Sequence, residues 1–290
     1  MGILNWKGLP VISGNPWRGV SYFCTVRLIH RWPAVSADAA EWSPTEGAST
    51  APFDTFNLGD HVGDEPASVH ANRQRLAVTL PGTPVWLQQV HGTDVFDADS
   101  NRIISRPNQP CKASTLSQSG GDPTADAAIT QTRGRVLCIM TADCLPVVLS
   151  DDKGTILGLA HAGWRGLAQG VLESTLTTMQ ERVPNASWRA WIGPAISQSA
   201  FEVGDEVRHI FADQDAQAAA YFLPGRPKRW QADLSGLAYH RLKKAGVTTI
   251  GMSGLCTHAH QDMFYSYRRD GRTGRMATVA WLDELATYPD

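Results

Sequence analysis

"RVLCIMTADCLPVVLSD", residues 135–151, is the stretch whose reading decides the fold. "RVLCIM" (135–140) and "PVVLSD" (146–151) are short apolar runs that do not alternate with polar residues. Such runs are what strands buried on both faces require. The second is closed by the turn "DDKG", and "TILGLAHAG" (155–163) follows as a third strand. Beyond it Leu167, Val171, Leu172, Leu176, Met179 and Val183 recur at helical spacing. "SWRAWIGP" (187–194) alternates as a strand, and "GDEVRHIFADQ" (204–214) reads as a helix. "DLSGLAYHRLKKAG" (233–246) is a second helix, with Asp233 as N-cap and Gly246 as stop. "VTTIGMS" returns to strand, and "FYSYRRDGRTGRMATVAWL" (264–282) predicts two strands around a turn at Asp270 and Gly271. The class is mixed α/β, with more strands than a plain βαβ series supplies.

Length and composition narrow the function. The chain has 290 residues, 42% hydrophobic and 19% charged, enough for a large buried core. Its net charge of −2 gives no field to gather phosphate backbones, so nucleic acid is excluded as main partner. The opening "MGILNWKGLPVISG" lacks the apolar core of a secretory signal, and no run approaches the length of a membrane span. The expectation is a cytoplasmic protein. Five cysteines (Cys24, Cys111, Cys138, Cys144, Cys256) are odd in number, irregular in spacing and without C-x-x-C, as for reduced thiols. Residues 31–52 and 108–124 read as surface insertions, and Cys111 in the second is a bystander. Neither separates two self-sufficient halves, so 1–290 is expected to be a single domain.

Three segments share one form, an apolar strand ending on a reactive side chain beside a glycine or proline. They are "VWLQQVHGTD" at His91, "CIMTADCLP" at Cys144 and "LGLAHAGWRG" at His161. Strand ends are where α/β proteins place their sites. Two imidazoles and a thiolate suit zinc, and three protein ligands leave the fourth tetrahedral position for water. The metal would deprotonate Cys144 and lower the pKa of that water toward about 7. The plain alternative is that a cysteine in an apolar run is core. The spacing of the three matches no short zinc motif.

The words themselves form a longer pattern. "FNLGDHVGDEP", "QQVHGTDV", "TADCLPVV", "AHAGWRGL", "FEVGDEV" and "FYSYRRDGRTGRMA" resemble, in this order, the YfiH-type family. That family is variously described as laccase-domain proteins, polyphenol oxidases, purine nucleoside phosphorylases and peptidoglycan editing factors. The resemblance runs over residues 17–282. It implies a four-layer α-β-β-α sandwich, related to cysteine-dependent deamidase toxins, with His91, Cys144 and His161 as metal ligands and catalytic centre. It also implies a zinc enzyme that cleaves adenosine, inosine, guanosine or methylthioadenosine with phosphate and deaminates adenosine. The chain departs from the pattern near its start, where "CTVRLIHRWPAVS" replaces S/T-T-R-x-G-G-V-S. Arg27 stands for the arginine there, but the diglycine is missing, so the mouth of the site is expected to be reshaped.

Around that centre, candidate substrate-binding residues are Arg165, Asp143, Arg27 and Asn57. Deamination would have the activated water attack C6 of the purine while an acid passes a proton to departing ammonia. Asp143 is the candidate acid, its plainer reading being a partner to the ligands or a turn cap. For phosphate, the glycine-flanked turn of "HAGWRGL" with Arg165 is the candidate. Arg268, Arg269, Arg272 and Arg275 invite an anion-binding reading or a solvated turn, with Arg272 assigned to solvent and Arg268 able to point inward. "THAH" offers His258 and His260 on a loop.

Competing functions remain distinct. A His₂Cys set also suits copper, which would give a polyphenol oxidase. A multicopper centre needs several H-x-H pairs, however, and nine histidines supply one. Without metal, Cys144 as nucleophile and His161 as base would make an amidase acting in peptidoglycan precursor editing. A domain that merely binds metal or a partner is the non-enzymatic reading. Cys24, Cys138 and Cys256 are assigned to packing.

Overall fold

The turn at 141–145 carries the chain from one sheet into another, and the site is built on that crossing. The structure is a computed structural model that describes residues 3–27, 47–105 and 121–284. Most of the two expected insertions, with Cys111, lies outside the described residues. Strand Val136–Thr141 belongs to a six-stranded sheet, between Met276–Leu282 and the short Pro84–Val85. Strand Leu145–Asp151 belongs to a seven-stranded sheet, antiparallel to both Leu157–Ala162 and Trp188–Ile192. Both sheets are mixed. Pro84–Val85 runs parallel to Val136–Thr141, Val247–Met252 parallel to Trp188–Ile192, and Val95–Asp97 parallel to Ala127–Thr130.

The two sheets pack face to face, which explains the unalternating runs. Side chains on a strand point to opposite faces with period two. From the seven-stranded sheet, Val148, Leu157, Leu159 and Trp191 join a core with Leu137, Ile139 and Ala280 of the other sheet. Their neighbours Leu145, Val147, Leu149, Ala160 and Ile192 join a second core on the opposite face. That core is completed by Leu172, Leu176 and Met179 of helix Val171–Arg182 and by Leu237 and Leu242 of helix Leu234–Lys244. Helix Pro66–Ala77 packs Leu76, fully buried, into the apolar cluster around the six-stranded sheet. The result is the mixed α/β sandwich that the resemblance implies. Fully burying one such aliphatic side chain is worth about 1.5–3 kcal/mol, so a charge within either run would be disruptive. Among the described residues no helix is long and apolar enough to cross a membrane.

Local expectations hold in most places. Asp233 caps its helix by accepting from the Gly236 N–H at 2.8 Å, and helix Asp205–Gln214 and strands Trp188–Ile192 and Val247–Met252 form as read. Two expectations need correction. The single helix after His161 is two, Trp164–Gln169 and Val171–Arg182, because Gly170 at φ 94° takes a left-handed conformation that breaks the run. The hairpin expected over 264–282 has one strand, Met276–Leu282. In place of the other, the Ser266 hydroxyl accepts from the Arg269 N–H at 3.2 Å and starts the one-turn helix Tyr267–Asp270.

Candidate metal centre

Cys144 directly precedes strand Leu145–Asp151, and His161 lies one residue from the end of its own strand. The strand expected to run up to His91 is only Pro84–Val85, with an isolated bridge at Gln88, so His91 stands in a bend six residues beyond it. Cys144 lies in the crossing between the sheets, after Asp143, whose φ is 94°. His161 is the fifth residue of strand Leu157–Ala162, on the same face as Leu157 and Leu159, and is 3% exposed. His91 follows Val90 at φ 61° and is exposed. Left-handed backbone at two non-glycine residues is uncommon and has to be held by the surroundings.

The structure brings the three together. Their ligand atoms all lie within 4.8 Å of one another, the one such group of three or more among the described residues. Cys144 Sγ is 3.8 Å from His91 Nε2, and the two imidazoles meet edge-on with centroids 4.8 Å apart. Gly163 makes this approach possible. A Cβ there would stand 2.6 Å from His91 Cδ2 and 3.1 Å from Cys144 Sγ, so any side chain would push both out of place.

One carboxylate, not singled out from the sequence, organises both histidines. Asp126 is fully buried. Its Oδ1 lies 2.8 Å from His161 Nδ1 and accepts from the His91 N–H at 2.9 Å. Its Oδ2 accepts from the N–H groups of Val90 (3.1 Å) and Gly92 (2.6 Å). The Asp126 carbonyl also accepts from the His161 N–H at 2.7 Å. The carboxylate therefore fixes the His161 tautomer, turns Nε2 toward the thiol and clamps the loop that carries His91. Burial alone would raise its pKa, but the His161 ring and these N–H donors hold it below the usual carboxylate range.

Charge settles the pair at the centre. Burial opposes ionisation of Cys144, yet the facing His161 and His91 imidazoles bring the thiol down to about 6. Burial likewise opposes the charge on His161, yet the Cys144 thiolate and Asp126 raise it to about 10. The thiolate is thus the resting form, as both metal ligation and nucleophilic attack require. Cys24 and Cys138 contrast with it. Both are buried on strands of the six-stranded sheet, and burial pushes the Cys24 thiol up to about 12 and the Cys138 thiol up as well. Cys256 is buried, with its sulfur accepting from the Ser197 N–H at 3.3 Å.

The remaining candidates divide. Asp143 is buried and its carboxylate is filled: Oδ1 accepts from the Thr257 hydroxyl (2.6 Å), Oδ2 from the Ser266 hydroxyl (3.0 Å) and the Arg268 N–H (2.7 Å). It anchors the Cys144 turn to two later loops. Arg165 is exposed, its guanidinium 4.5 Å from the Trp164 ring centroid, at the start of a helix of six residues. Arg27 is bound through Nη2 to both oxygens of Asp54 at 2.9 Å and lies over Tyr265. Asn57 is fully buried. Its Oδ1 accepts from the N–H groups of Gly59 (2.9 Å) and Arg275 (2.8 Å), and its Nδ2 donates to Asp64 (2.8 Å). Arg269 is tied to the carbonyls of Thr257, His258 and Phe264, and Arg272 to that of Gly63.

Among these arginines, Arg275 is the one whose charge interacts with Cys144 and Asp143. It is half-buried, Nη1 donates to the carbonyls of Thr273 (3.1 Å) and Gly274 (3.0 Å), and Cys144, Asp143 and Tyr267 are its charge neighbours. Burial holds its pKa below the usual arginine value. Gly59 packs directly on its stem, where a Cβ would stand 2.7 Å from Arg275 Cγ. His258 and His260 are not part of any group of three or more ligating residues among the described residues.

Comparison with known proteins agrees with this architecture. The family model "Multi-copper polyphenol oxidoreductase laccase" matches residues 39–283. Purine nucleoside phosphorylase PA4543 of Pseudomonas aeruginosa is 43% identical over 255 residues, 87% of this chain and 97% of that protein. Purine nucleoside phosphorylase YfiH of Escherichia coli (strain K12) is 43% identical over 259 residues, 88% of this chain and 98% of that protein. Among solved structures, the Neisseria meningitidis protein NMB0706 superposes with TM-score 0.78 at 37% identity, covering 96% of this chain and all of that one. YlmD from Geobacillus stearothermophilus superposes with TM-score 0.78 at 29% identity, covering 96% of this chain and 97% of that one.

Proposed function

The chain belongs to this YfiH-type, laccase-domain family, and from that premise we propose that it is a metal-dependent purine nucleoside phosphorylase that also deaminates adenosine. The observation that carries the reading is the convergence of His91, Cys144 and His161 within 4.8 Å around an Asp126-bound histidine. The donor set fits the metal. Two imidazole nitrogens and a thiolate, with the second histidine nitrogen on a carboxylate, suit zinc and also copper. Bound there, the ion would supply Lewis-acid polarisation of an oxygen and a water acidic enough to ionise near neutrality. In phosphorolysis a phosphate oxygen bonds to C1′ of the ribose as the C1′–N bond breaks, and the base leaves with the electron pair and takes up a proton. The chain's own part is positioning. Asp126 holds the His161 ring and the backbone of the loop that carries His91, Asp143 holds the Cys144 turn, and Arg275, which shares the electrostatic field of Cys144, would contribute positive charge for the anion.

The oxidase reading lacks a place for a multinuclear cluster, since the trio is the one group of three or more ligating residues among the described residues. A second reading has an observation in its favour. Asp126, His161 and Cys144 stand in the order carboxylate, imidazole, thiol, the arrangement of a cysteine hydrolase. The closeness of His91 to the sulfur favours metal over that arrangement. The test is product analysis by mass spectrometry after incubation with adenosine, with and without phosphate. Phosphate-dependent adenine and ribose 1-phosphate support the phosphorylase, and inosine in either sample supports the deaminase. Unchanged adenosine in both would overturn the reading and direct the next assay to muramyl peptides.

A further inference from the structure

His91 differs from His161 in how its ring is held. His161 Nδ1 has the Asp126 carboxylate at 2.8 Å, whereas among the described residues the His91 ring has one hydrogen-bond partner, the Cys144 sulfur itself. Metal-ligating histidines ordinarily have their second nitrogen fixed by a hydrogen bond. The place of the His91 ring therefore depends on the backbone that carries it, which is exposed at Val90 and left-handed at His91. Asp126 holds that backbone from the side of the seven-stranded sheet. Gln88 adds to this hold, since its N–H donates to the Pro123 carbonyl at 2.9 Å and its Oε1 accepts from the Thr124 hydroxyl at 2.8 Å.

Gln89 reaches the other way. Its Nε2 donates to the Met140 carbonyl at 2.8 Å, and its Oε1 accepts from the Met140 N–H at 2.8 Å. Met140 is buried on strand Val136–Thr141 of the six-stranded sheet, four residues before Cys144. Strand Pro84–Val85 pairs with that strand at Val136 and Leu137, so the paired stretch stops short of Met140. A carboxamide carries the same donor and acceptor as a peptide group, and the Gln89 side chain does for Met140 what a longer strand would do. A short circuit is closed in this way: two residues from Gln89 to His91, 3.8 Å from His91 Nε2 to Cys144 Sγ, and four residues from Cys144 back to Met140. A slip of the loop along the strand would pass directly into the ligand spacing. We propose that Gln89 is a positioning residue of the metal centre, whose side-chain amide registers the His91 loop against the strand that leads to Cys144. The inference rests on the metal-dependent reading of the centre.

Competition between the full chain and a chelator for zinc ion tests it, with urea midpoints measured on the same proteins. These are wild type, Gln89→Met, Gln89→Glu, His91→Ala, Gln89→Met combined with His91→Ala, and Asp151→Asn. Gln89→Met keeps the length of the side chain and removes both hydrogen bonds. It should weaken zinc by about 10- to 100-fold, the range for partners that orient ligating histidines. Gln89→Glu keeps the acceptor for the Met140 N–H but sets a carboxylate against the Met140 carbonyl. It should weaken zinc in the same direction, which keeps the test open if Gln89→Met does not fold. Asp151→Asn, buried far from the centre, should lower the urea midpoint and keep wild-type zinc affinity. With His91→Ala already in place, adding Gln89→Met should change zinc affinity by less than about twofold, because the ligand through which it acts is gone, while the urea midpoint still falls. Wild-type zinc affinity in both Gln89 variants, an equal loss in Asp151→Asn, or an undiminished loss in the His91→Ala background would overturn the assignment and leave the metal centre standing. Wild type that binds no zinc would overturn the metal reading and the inference with it.

Discussion

Replacing Asp126 by Asn changes one atom and should disable the centre. The carboxylate meets four donors: the His91 N–H and His161 Nδ1 on one oxygen, the Val90 and Gly92 N–H groups on the other. An amide can keep one oxygen in place, but its NH₂ must then face donors. If the NH₂ replaces Oδ2, it opposes the N–H groups of Val90 and Gly92, and two charge-assisted bonds of about 1.5–3 kcal/mol each are lost. That is about 3–6 kcal/mol, a large part of the stability of an ordinary domain. If the amide flips, the NH₂ faces His161 Nδ1 and drives the proton to Nε2, the nitrogen needed for ligation. Either way metal affinity should fall by about 10- to 100-fold, the range for partners that orient ligating histidines. The control is Asp151→Asn. Asp151 is also buried and accepts from the Thr155 N–H (2.7 Å), the Ile156 N–H (3.2 Å) and the Thr155 hydroxyl (2.8 Å). It lies at the opposite end of strand Leu145–Asp151 from the centre. Chelator competition for affinity and urea midpoints for stability should show both variants destabilised but only Asp126→Asn impaired in metal binding. Wild-type affinity in Asp126→Asn, or equal loss in Asp151→Asn, would refute the assigned role.

Other perturbations have distinct outcomes. Gly163→Ala places a methyl 2.6 Å from the His91 ring, so metal affinity should drop at least about tenfold while stability falls by only about 1–3 kcal/mol; chelator competition and a melting curve check it. Arg275→Gln should raise the KM for phosphate about 10- to 100-fold, from loss of a charge-assisted contact, whereas Arg165→Gln at an exposed, stacked arginine should leave it near wild type; steady-state kinetics against phosphate separate them. Asp143→Ala leaves the Thr257 and Ser266 hydroxyls and the Arg268 N–H without their acceptor, which should cost about 3 kcal/mol or more, read from the urea midpoint.

The sequence made some of this legible and concealed the rest for identifiable reasons. The runs at 136–140 and 146–150 were readable as doubly buried strands, since nothing polar interrupts them. That they lie in different sheets was not, because continuous burial looks the same in any covered sheet. His91, Cys144 and His161 stood out because each follows or ends an apolar run at a turn, although the strand before His91 stops at Val85. Asp126 has no such mark: it is one acid at the head of "AAIT", and its importance arises from residues 35 positions away on either side, the loop at His91 and the strand at His161. A carboxylate leading into the apolar Ala127–Ile129 run was the available signal, since it must be paired if buried. The segment at 264–270 misled because its aromatic alternation imitates a strand, while Ser266 is placed to cap a helical turn.

The most direct test of the central claim is the metal content, by plasma mass spectrometry, of protein purified without added metal, wild type beside Cys144→Ser. The account predicts close to one equivalent of zinc or copper in wild type and its loss in the variant, together with phosphate-dependent adenine release. A metal-free wild type that is fully active would contradict it and give the centre to Cys144 as a nucleophile with His161 as its base.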